Sequence, residues 1–408
     1  MYFYKKFYKL VFLLGLAILS ITSCTKNDNH KPITKKLMAL IKKDPEINKM
    51  LKESIAKAKE INPDKKTNPV QNLDDYLNYV DKISVLLPYE NIADDMHYFY
   101  FLIDQPLPEL KNKGLFKNSL QFYEPFSSWL RDLANTWRKF LDSKASWNEG
   151  IYQKFLNDPR YGLQKDWYED ASNWKTFNHF FSRYLKSPKA RPIACLSDPC
   201  IVVSPADSVP EAFLQIDNNS KILVKNGVTV KDNLFFNMAD LLGKNSKYKN
   251  VFANGVFTHA YLSPSDYHRY HFPVGGIVKE IKIIPGNVVV EIKWNPQKQS
   301  YDVIDTIGWQ FNQTRGYVIL DTGKYGLVAV ISVGMDFVSS VNFEKNVRVG
   351  KTFKKGDMLG YFLFGGSDII MLFQSKADVK MTTPIDKHIL MGEKWGVMKG
   401  QDNKVSPE

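Results

Sequence analysis

Two segments of the chain carry residue types suited to a backbone cut. One is the step Gly365-Gly366-Ser367, and the other is the run Asp266-Tyr267-His268-Arg269-Tyr270-His271-Phe272-Pro273. A serine hydroxyl is a weak nucleophile, so attack on the preceding carbonyl needs a histidine to remove its proton and a carboxylate to orient that histidine. Glycine before the serine admits the backbone geometry that brings Oγ onto its own preceding peptide bond. Ser204-Pro205-Ala206-Asp207-Ser208 supplies a carboxylate at the end of an expected strand. Taken singly, these signals are ordinary. Asp207 alone is a turn residue, and His268 and His271, spaced by three, fit a metal pair or hydrogen-bonded structural histidines as well as catalysis.

The elements that must position these groups divide the chain of 408 residues into two unlike halves. Residues 24–70 read as a lysine-rich tether and helical lead-in, with Pro32, Pro45, Pro63 and Pro69 interrupting short helices. Residues 71–185 are expected to form a helical domain. Phe126, Trp129, Leu130, Leu133, Trp137, Phe140 and Leu141 recur in steps of three and four that place them on one core-facing side. From 186 to about 400, short Val, Ile and Phe runs separated by Gly, Asn, Asp and Pro predict strands over 201–203, 221–224, 277–284, 288–293, 317–320, 327–333 and 369–373. The fold class is therefore α+β, a helical N-terminal domain followed by a mainly antiparallel β domain, either a sandwich or an open barrel.

The first residues are set aside from that fold. Lys5, Lys6 and Lys9 precede the apolar run 10–19, too short to span a bilayer as a stable helix, which marks an export signal over residues 1–23. It ends in Ile21-Thr22-Ser23-Cys24, which resembles a bacterial lipobox, so Cys24 is expected to be the lipidated mature N-terminus. Thr25, in place of an aspartate, favours sorting to the outer membrane, with the body of the protein periplasmic or surface-exposed. The formal charge of +12 drops to +9 without the three signal lysines, a balance that suits an anionic lipid surface or solubility. The lysines are scattered and form no basic and aromatic stripe, which argues against nucleic-acid binding. Cys195 and Cys200 are spaced to close a small disulfide loop in an oxidising compartment or to remain two buried thiols; no second ligand pair follows that would make a zinc site.

Read jointly and in order, the segments resemble the phosphatidylserine decarboxylase family. The resemblance rests on 176–183 with Arg191-Pro192-Ile193, on 204–208, on the long run 261–273, on Asn312, Arg315 and Val333-Gly334, and on 360–367. It implies that Asp207, His271 and Ser367 form a self-cleaving triad, with Asp266 supporting the histidine turn and His268 serving decarboxylation. Attack of Ser367 on the Gly366 carbonyl would give an ester. Elimination would then release two chains that stay associated and convert Ser367 to a covalent pyruvoyl group, the cofactor. A substrate amine would condense with that ketone to an imine that accepts the electrons left by carbon dioxide. His268, with an ordinary pKa of about 6.5, would return the proton.

The resemblance implies two substrates. The family as a whole points to phosphatidylserine presented at a membrane, whereas the helical half, through Trp137-Arg138-Lys139-Phe140-Leu141-Asp142-Ser143 and Ser146-Trp147, is similar to a branch that includes fungal tryptophan decarboxylases. Two positions depart from the family. Asp368 stands where serine or threonine usually follows the cleaving serine, a negative charge expected to slow its deprotonation, and Asn254 stands where a second glycine is frequent. An uncut, non-catalytic lipoprotein binding module is the reading in which Asp368 has abolished the cut.

Overall fold

The computed structural model describes residues 29–400 other than 89–91, 114–116, 224–234, 305–307, 335–339 and 366. The signal segment, Cys24 and Gly366 therefore lie outside the described residues.

The N-terminal half is helical, and its helices start on capping residues. Asp44 accepts hydrogen bonds from Glu46 N and Ile47 N at 3.0 and 3.2 Å at the head of the helix Pro45–Ile61, and Asn72 caps Leu73–Ile83 in the same way. Pro32 and Pro45 occupy the first turns of Pro32–Lys43 and Pro45–Ile61. Proline is tolerated there because its missing N–H has no partner in the first turn anyway. The helical lead-in is formed by these two helices, which bury Leu37, Met50, Leu51 and Ile55 in the main core; residues 24–28 of the expected tether lie outside the described residues. The helix Phe126–Leu141 buries Phe126, Trp129, Leu130, Leu133, Trp137 and Leu141, the face expected from their spacing. Between Leu141 and the first strand at Ile201 the described residues are mostly turns, with the short α-helices Glu149–Leu156 and Phe177–Phe181.

The described residues of the C-terminal half form 17 strands, in chain order β1 (Ile201–Val203), β2 (Val209–Gln215), β3 (Lys221–Leu223), β4 (Phe235–Asn237), β5 (Val256–Leu262), β6 (Arg269–His271), β7 (Gly276–Ile284), β8 (Ile292–Asn295), β9 (Ser300–Val303), β10 (Thr314–Asp321), β11 (Leu327–Gly334), β12 (Val341–Phe343), β13 (Thr352–Phe353), β14 (Met358–Phe362), β15 (Ser367–Phe373), β16 (Val379–Met381) and β17 (Lys394–Met398). Seven make an antiparallel sheet in the order β13-β7-β10-β11-β15-β5-β2. The sheet is open, with β13 and β2 at its edges, and is not a closed barrel. Two three-stranded sheets, β12-β14-β6 and β1-β17-β16, accompany it. Residues 288–291, expected to be extended as a strand, are not; the strand begins at Ile292.

Successive side chains of a strand face opposite sides of a sheet. Along β15 this sends Ile369, Met371 and Phe373 into the core shared with the helices. Ile370 and Leu372 go into a second core, with Phe257, Tyr317 and Ile331, on the reverse face. The helical half docks on the β half through the β8–β9 hairpin. Asn62 Nδ2 donates to Tyr301 Oη at 2.8 Å, and Ile292 N donates to Asp104 Oδ2 at 3.0 Å. Gln121 and Val290 exchange two hydrogen bonds of 3.0 and 3.1 Å.

Candidate active site

Ser367 is the first residue of β15 and is buried. Its backbone is held by both neighbours, opposite Gly334 of β11 and Leu262 of β5. By strand alternation its side chain shares the face of Ile369 and Met371, toward the helical half. Gly365 has φ 149°, in the region that favours glycine, so the chain turns just before the serine. Ser367 Oγ lies 3.5 Å from Gly365 O, a weak contact that leaves the hydroxyl loosely held.

Helical residues grip the segment in front of the serine. Asn178 Oδ1 accepts from Phe364 N at 3.2 Å, while its Nδ2 donates to Asp142 at 2.8 Å. Trp137, Phe177 and Phe181 meet the Phe364 ring edge-on at 5.5, 5.1 and 5.1 Å between centroids. These contacts answer to the helix Phe126–Leu141 and to Thr176, which caps the helix Phe177–Phe181.

His268 packs into the same aromatic group, its ring 3.8 Å from that of Phe181. Its Nδ1 is 2.9 Å from Asp266 O. A carbonyl only accepts, so Nδ1 carries the hydrogen and Nε2 holds the lone pair. That Nε2 is buried with no hydrogen-bond partner among the described residues. Burial, with the nearby Arg183 charge, pulls the imidazole down to about 3. The sequence-based expectation of an acid near pKa 6.5 is therefore corrected for the uncut chain, where His268 rests neutral as a proton acceptor.

Asp266 is bonded at both its carboxylate and its carbonyl. Its carboxylate accepts from Ser263 N and pairs with His388 Nε2, each at 2.8 Å, and its carbonyl also accepts from Arg183 Nη2 at 3.2 Å. Arg183 is fully buried and stacks on Tyr168 at 4.3 Å.

Asp207 and His271 lie on adjacent segments, joined by His271 N donating to Pro205 O at 2.8 Å. No hydrogen bond links Asp207 to His271, or His271 to Ser367, in this structure. The Asp207 carboxylate is taken by Arg191, through Nε at 3.0 Å and Nη2 at 2.5 Å, and by Met391 N at 2.8 Å. His271 Nδ1 faces Gly356 O at 2.9 Å and so carries the hydrogen; Nε2 accepts from Tyr267 Oη at 3.2 Å. Burial holds this imidazole down at about 4, also neutral, with the Asp207 charge opposing the shift. To act on Ser367, Nε2 has to exchange the tyrosine hydroxyl for the serine.

Asp368 lies on the other face of β15. Its Oδ2 is 3.0 Å from His259 Nε2 and accepts from Gln310 Nε2 at 3.1 Å. His259 Nδ1 is 3.0 Å from Glu211 Oε2, in contact but off the line of a hydrogen bond. Burial works against the charge on His259, but the Asp368 carboxylate, reinforced by Glu211, holds its pKa up at about 10. The expected charge beside the nucleophile is therefore neutralised by an imidazolium and turned away from it.

Arg183, Arg191, Tyr267, His388, Glu211, His259 and Gln310 are site residues without a role in the sequence reading. Arg183 and Arg191 lie in segments already singled out. A histidine between Phe257 and Tyr261 in an apolar strand was a signal for a buried partner; Gln310 had none. Cys195 is exposed and Cys200 half-buried, and both thiols are free. Their loop is closed by an ammonium instead: Lys355 Nζ donates to Cys195 O, Asp198 O and Ile201 O at 2.6, 2.8 and 3.2 Å. Asn254 has φ 58°, so it takes the left-handed conformation for which a glycine is otherwise used.

Comparison with known proteins bears on these residues directly. A family model described as phosphatidylserine decarboxylase matches residues 177–397, a span that holds Arg183, Arg191, Asp207, Asp266, His268, His271 and Ser367. Phosphatidylserine decarboxylase proenzyme 2 of Oryza sativa subsp. japonica is 32% identical over 250 residues, 61% of this chain and 37% of that protein. Phosphatidylserine decarboxylase proenzyme of Fusobacterium nucleatum is 30% identical over 311 residues, 72% of this chain and 96% of that protein. The Chlamydia pneumoniae proenzyme is 28% identical over 261 residues, 63% of this chain and 78% of that one. The chain thus spans little more than a third of the rice protein and almost all of the fusobacterial one.

Proposed function

Because this chain belongs to the phosphatidylserine decarboxylase family, we propose that it is a proenzyme that cuts itself between Gly366 and Ser367 and then removes the carboxylate of phosphatidylserine, leaving phosphatidylethanolamine. The observation that carries this reading is the setting of Ser367. It opens a central strand behind a turned glycine, with a loosely held hydroxyl, and a neutral imidazole acceptor lies in the aromatic group around Phe364.

In the self-cleavage step, Ser367 Oγ bonds to the Gly366 carbonyl carbon as its proton passes to His271 Nε2, and the Gly366–Ser367 C–N bond breaks as that proton moves on to the nitrogen. The ester then loses the Ser367 α-proton and its Cβ–Oγ bond, Oγ leaving with the Gly366 carboxylate, and water releases the remaining nitrogen as ammonia. Gly356 O holds the imidazole from its far side, and Arg191 holds Asp207 in place. Family membership brings with it a pyruvoyl group derived from the serine, and such a ketone supplies the electron sink for loss of the carboxylate. The residues present fit that group. Ser367 is enclosed, and the orphaned lone pair of His268 Nε2 is a buried acceptor with no protein function to satisfy. His268 Nε2 is placed to accept a hydrogen bond from the incoming substrate amine and, once the bound substrate's charge raises it above the low value of the uncut chain, to return a proton to the α-carbon.

The chain beginning at Ser367 stays with the rest, since β15 is laddered between β11 and β5 and β17 pairs with β1. No helix of the described residues is long and apolar enough to cross a membrane. Our reading places the mature protein at the outer membrane through lipidated Cys24, its positive charge facing anionic lipid. The alternative reading is a decarboxylase of a free aromatic amino acid such as tryptophan instead of phosphatidylserine, supported by the helical half packed onto the segment before Ser367.

Intact mass of the purified protein tests the cut: two species with a junction at 366/367, and one uncut species for Ser367→Ala, are expected. A single species from the parent sinks the enzyme reading in favour of an uncut binding module. Carbon dioxide release from phosphatidylserine vesicles, with none from tryptophan, is the expected substrate result, and the reverse assigns the soluble amino acid.

A further inference from the structure

We propose that His259, backed by Glu211 and Gln310, is a positioning residue for self-cleavage: it is the counter-ion that allows an aspartate to follow the cleaving serine. The inference rests on the self-cleavage reading above.

The four side chains form one buried unit behind β15. Asp368 Oδ2 is in ion-pair contact with His259 Nε2 at 3.0 Å and accepts a hydrogen bond from Gln310 Nε2 at 3.1 Å, and those two nitrogens are themselves 3.0 Å apart, so both groups converge on one oxygen. Gln310 is fixed in this orientation because its Oε1 accepts from Gly308 N at 2.9 Å. Glu211 approaches the other side of the imidazole at 3.0 Å and is about a quarter exposed, which connects the buried unit to the surface. His259 and Asp368 are both within 2% of full burial.

A buried carboxylate with no cation would oppose the reaction at its neighbour. As Ser367 Oγ loses its proton and the Gly366 carbonyl oxygen gains charge, negative charge builds within one residue of Asp368, where little water screens it. The imidazolium removes that penalty. The ion pair, with the hydrogen bond from Gln310, also keeps the Asp368 side chain on the reverse face, so that the strand register that fixes Ser367 is not pulled out of line.

The test follows cutting over time in freshly translated full-length chain, by intact mass, for the parent, His259→Gln, Asp368→Asn and the His259→Gln/Asp368→Asn pair. We expect His259→Gln to cut roughly 10- to 100-fold more slowly, and the pair, which has neither charge, to recover to within about threefold of Asp368→Asn. Removing Asp368 would not rescue a histidine needed only for packing. His259→Gln cutting at the parental rate, or the pair remaining as slow as His259→Gln, overturns the proposal. If His259→Gln proves insoluble, the pair decides: soluble, cut protein supports the counter-ion role, and an insoluble pair overturns it. A parent that never cuts refutes instead the self-cleavage reading on which the proposal stands.

Discussion

The resting state of His268 sets a measurable pH dependence. In the folded, uncut chain its pKa lies at about 3, and that of His271 at about 4, because burial disfavours the charged ring. In the unfolded chain both titrate near 6.5. The folded pKa is depressed, so the unfolded state binds more protons. The stability these rings contribute is present above pH 6.5 and is lost as pH falls toward the folded values. At pH 5 both rings are still neutral in the folded state, whereas an unfolded imidazole gains about 2 kcal/mol from protonation, set only by the distance from 6.5 to 5. The size of the effect thus hardly depends on how far below 5 the folded values lie. In a Ser367→Ala background, which keeps a single chain, urea unfolding at pH 8, 7, 6 and 5 should show His268→Gln closing part of the gap with decreasing pH. The difference between the two proteins should shift by about 2 kcal/mol over that range. Opposing groups such as His259 and Asp104 are common to both and drop out of the difference. A difference that stays flat to within about 0.5 kcal/mol would falsify the assignment, because His268 would then bind its proton in the folded chain and be no neutral acceptor.

Two further outcomes follow from buried charge. Arg191 and Asp207 are almost fully enclosed, so Arg191→Met leaves a buried carboxylate with only Met391 N. It should cost about 3–5 kcal/mol in urea unfolding of the Ser367→Ala chain, and a loss under about 1 kcal/mol would show that solvent reaches the site. Asp104, at the joint between the helical half and β8, is pushed up by burial from 3.8 to about 7. A raised folded pKa contributes stability at low pH that is lost as pH rises through about 7, by up to about 4 kcal/mol. Asp104→Asn should abolish that part of the slope, seen as a parent-minus-variant difference that shrinks with rising pH between 4 and 8.

The fold was legible where local pattern and burial agree. The stripe from Phe126 to Leu141 and the runs at 201–203, 277–284, 327–333 and 369–373 each show the period of the element they form. The lead-in is legible as helical, but its burial is not, because Pro32 and Pro45 look like breakers until their position in the first turn is known and its lysines hide the apolar face of Leu37, Met50 and Leu51. Residues 288–291 failed for a different reason. Their backbone and side chains serve the docking of the helical half, as Val290 does with Gln121, and apolar composition alone does not separate that duty from strand pairing.

The site divides along the same line. Ser367, His268, His271, Asp266 and Asp207 stand out as candidates because they lie in short segments rich in such residues, yet what each touches depends on distant chain. Asp207 is held by Arg191, His268 is lined by Phe181, and His271 is occupied by Tyr267. Asp368 shows the limit most clearly. In a sequence it stands next to the nucleophile, and a charge there argues against cleavage. In a strand, however, neighbours in sequence are opposites in space, so the residue that bears on Asp368 is not Ser367 but His259, on the adjacent strand and 109 positions upstream. On the counter-ion proposal, an aspartate after the cleaving serine is tolerated together with a cation on β5 diagonally across the ladder, since His259 faces Ile370 in register, and with a donor such as Gln310. Within this family that pairing, rather than the identity of the residue after the serine taken alone, should separate chains that cut themselves from chains that have lost the cut.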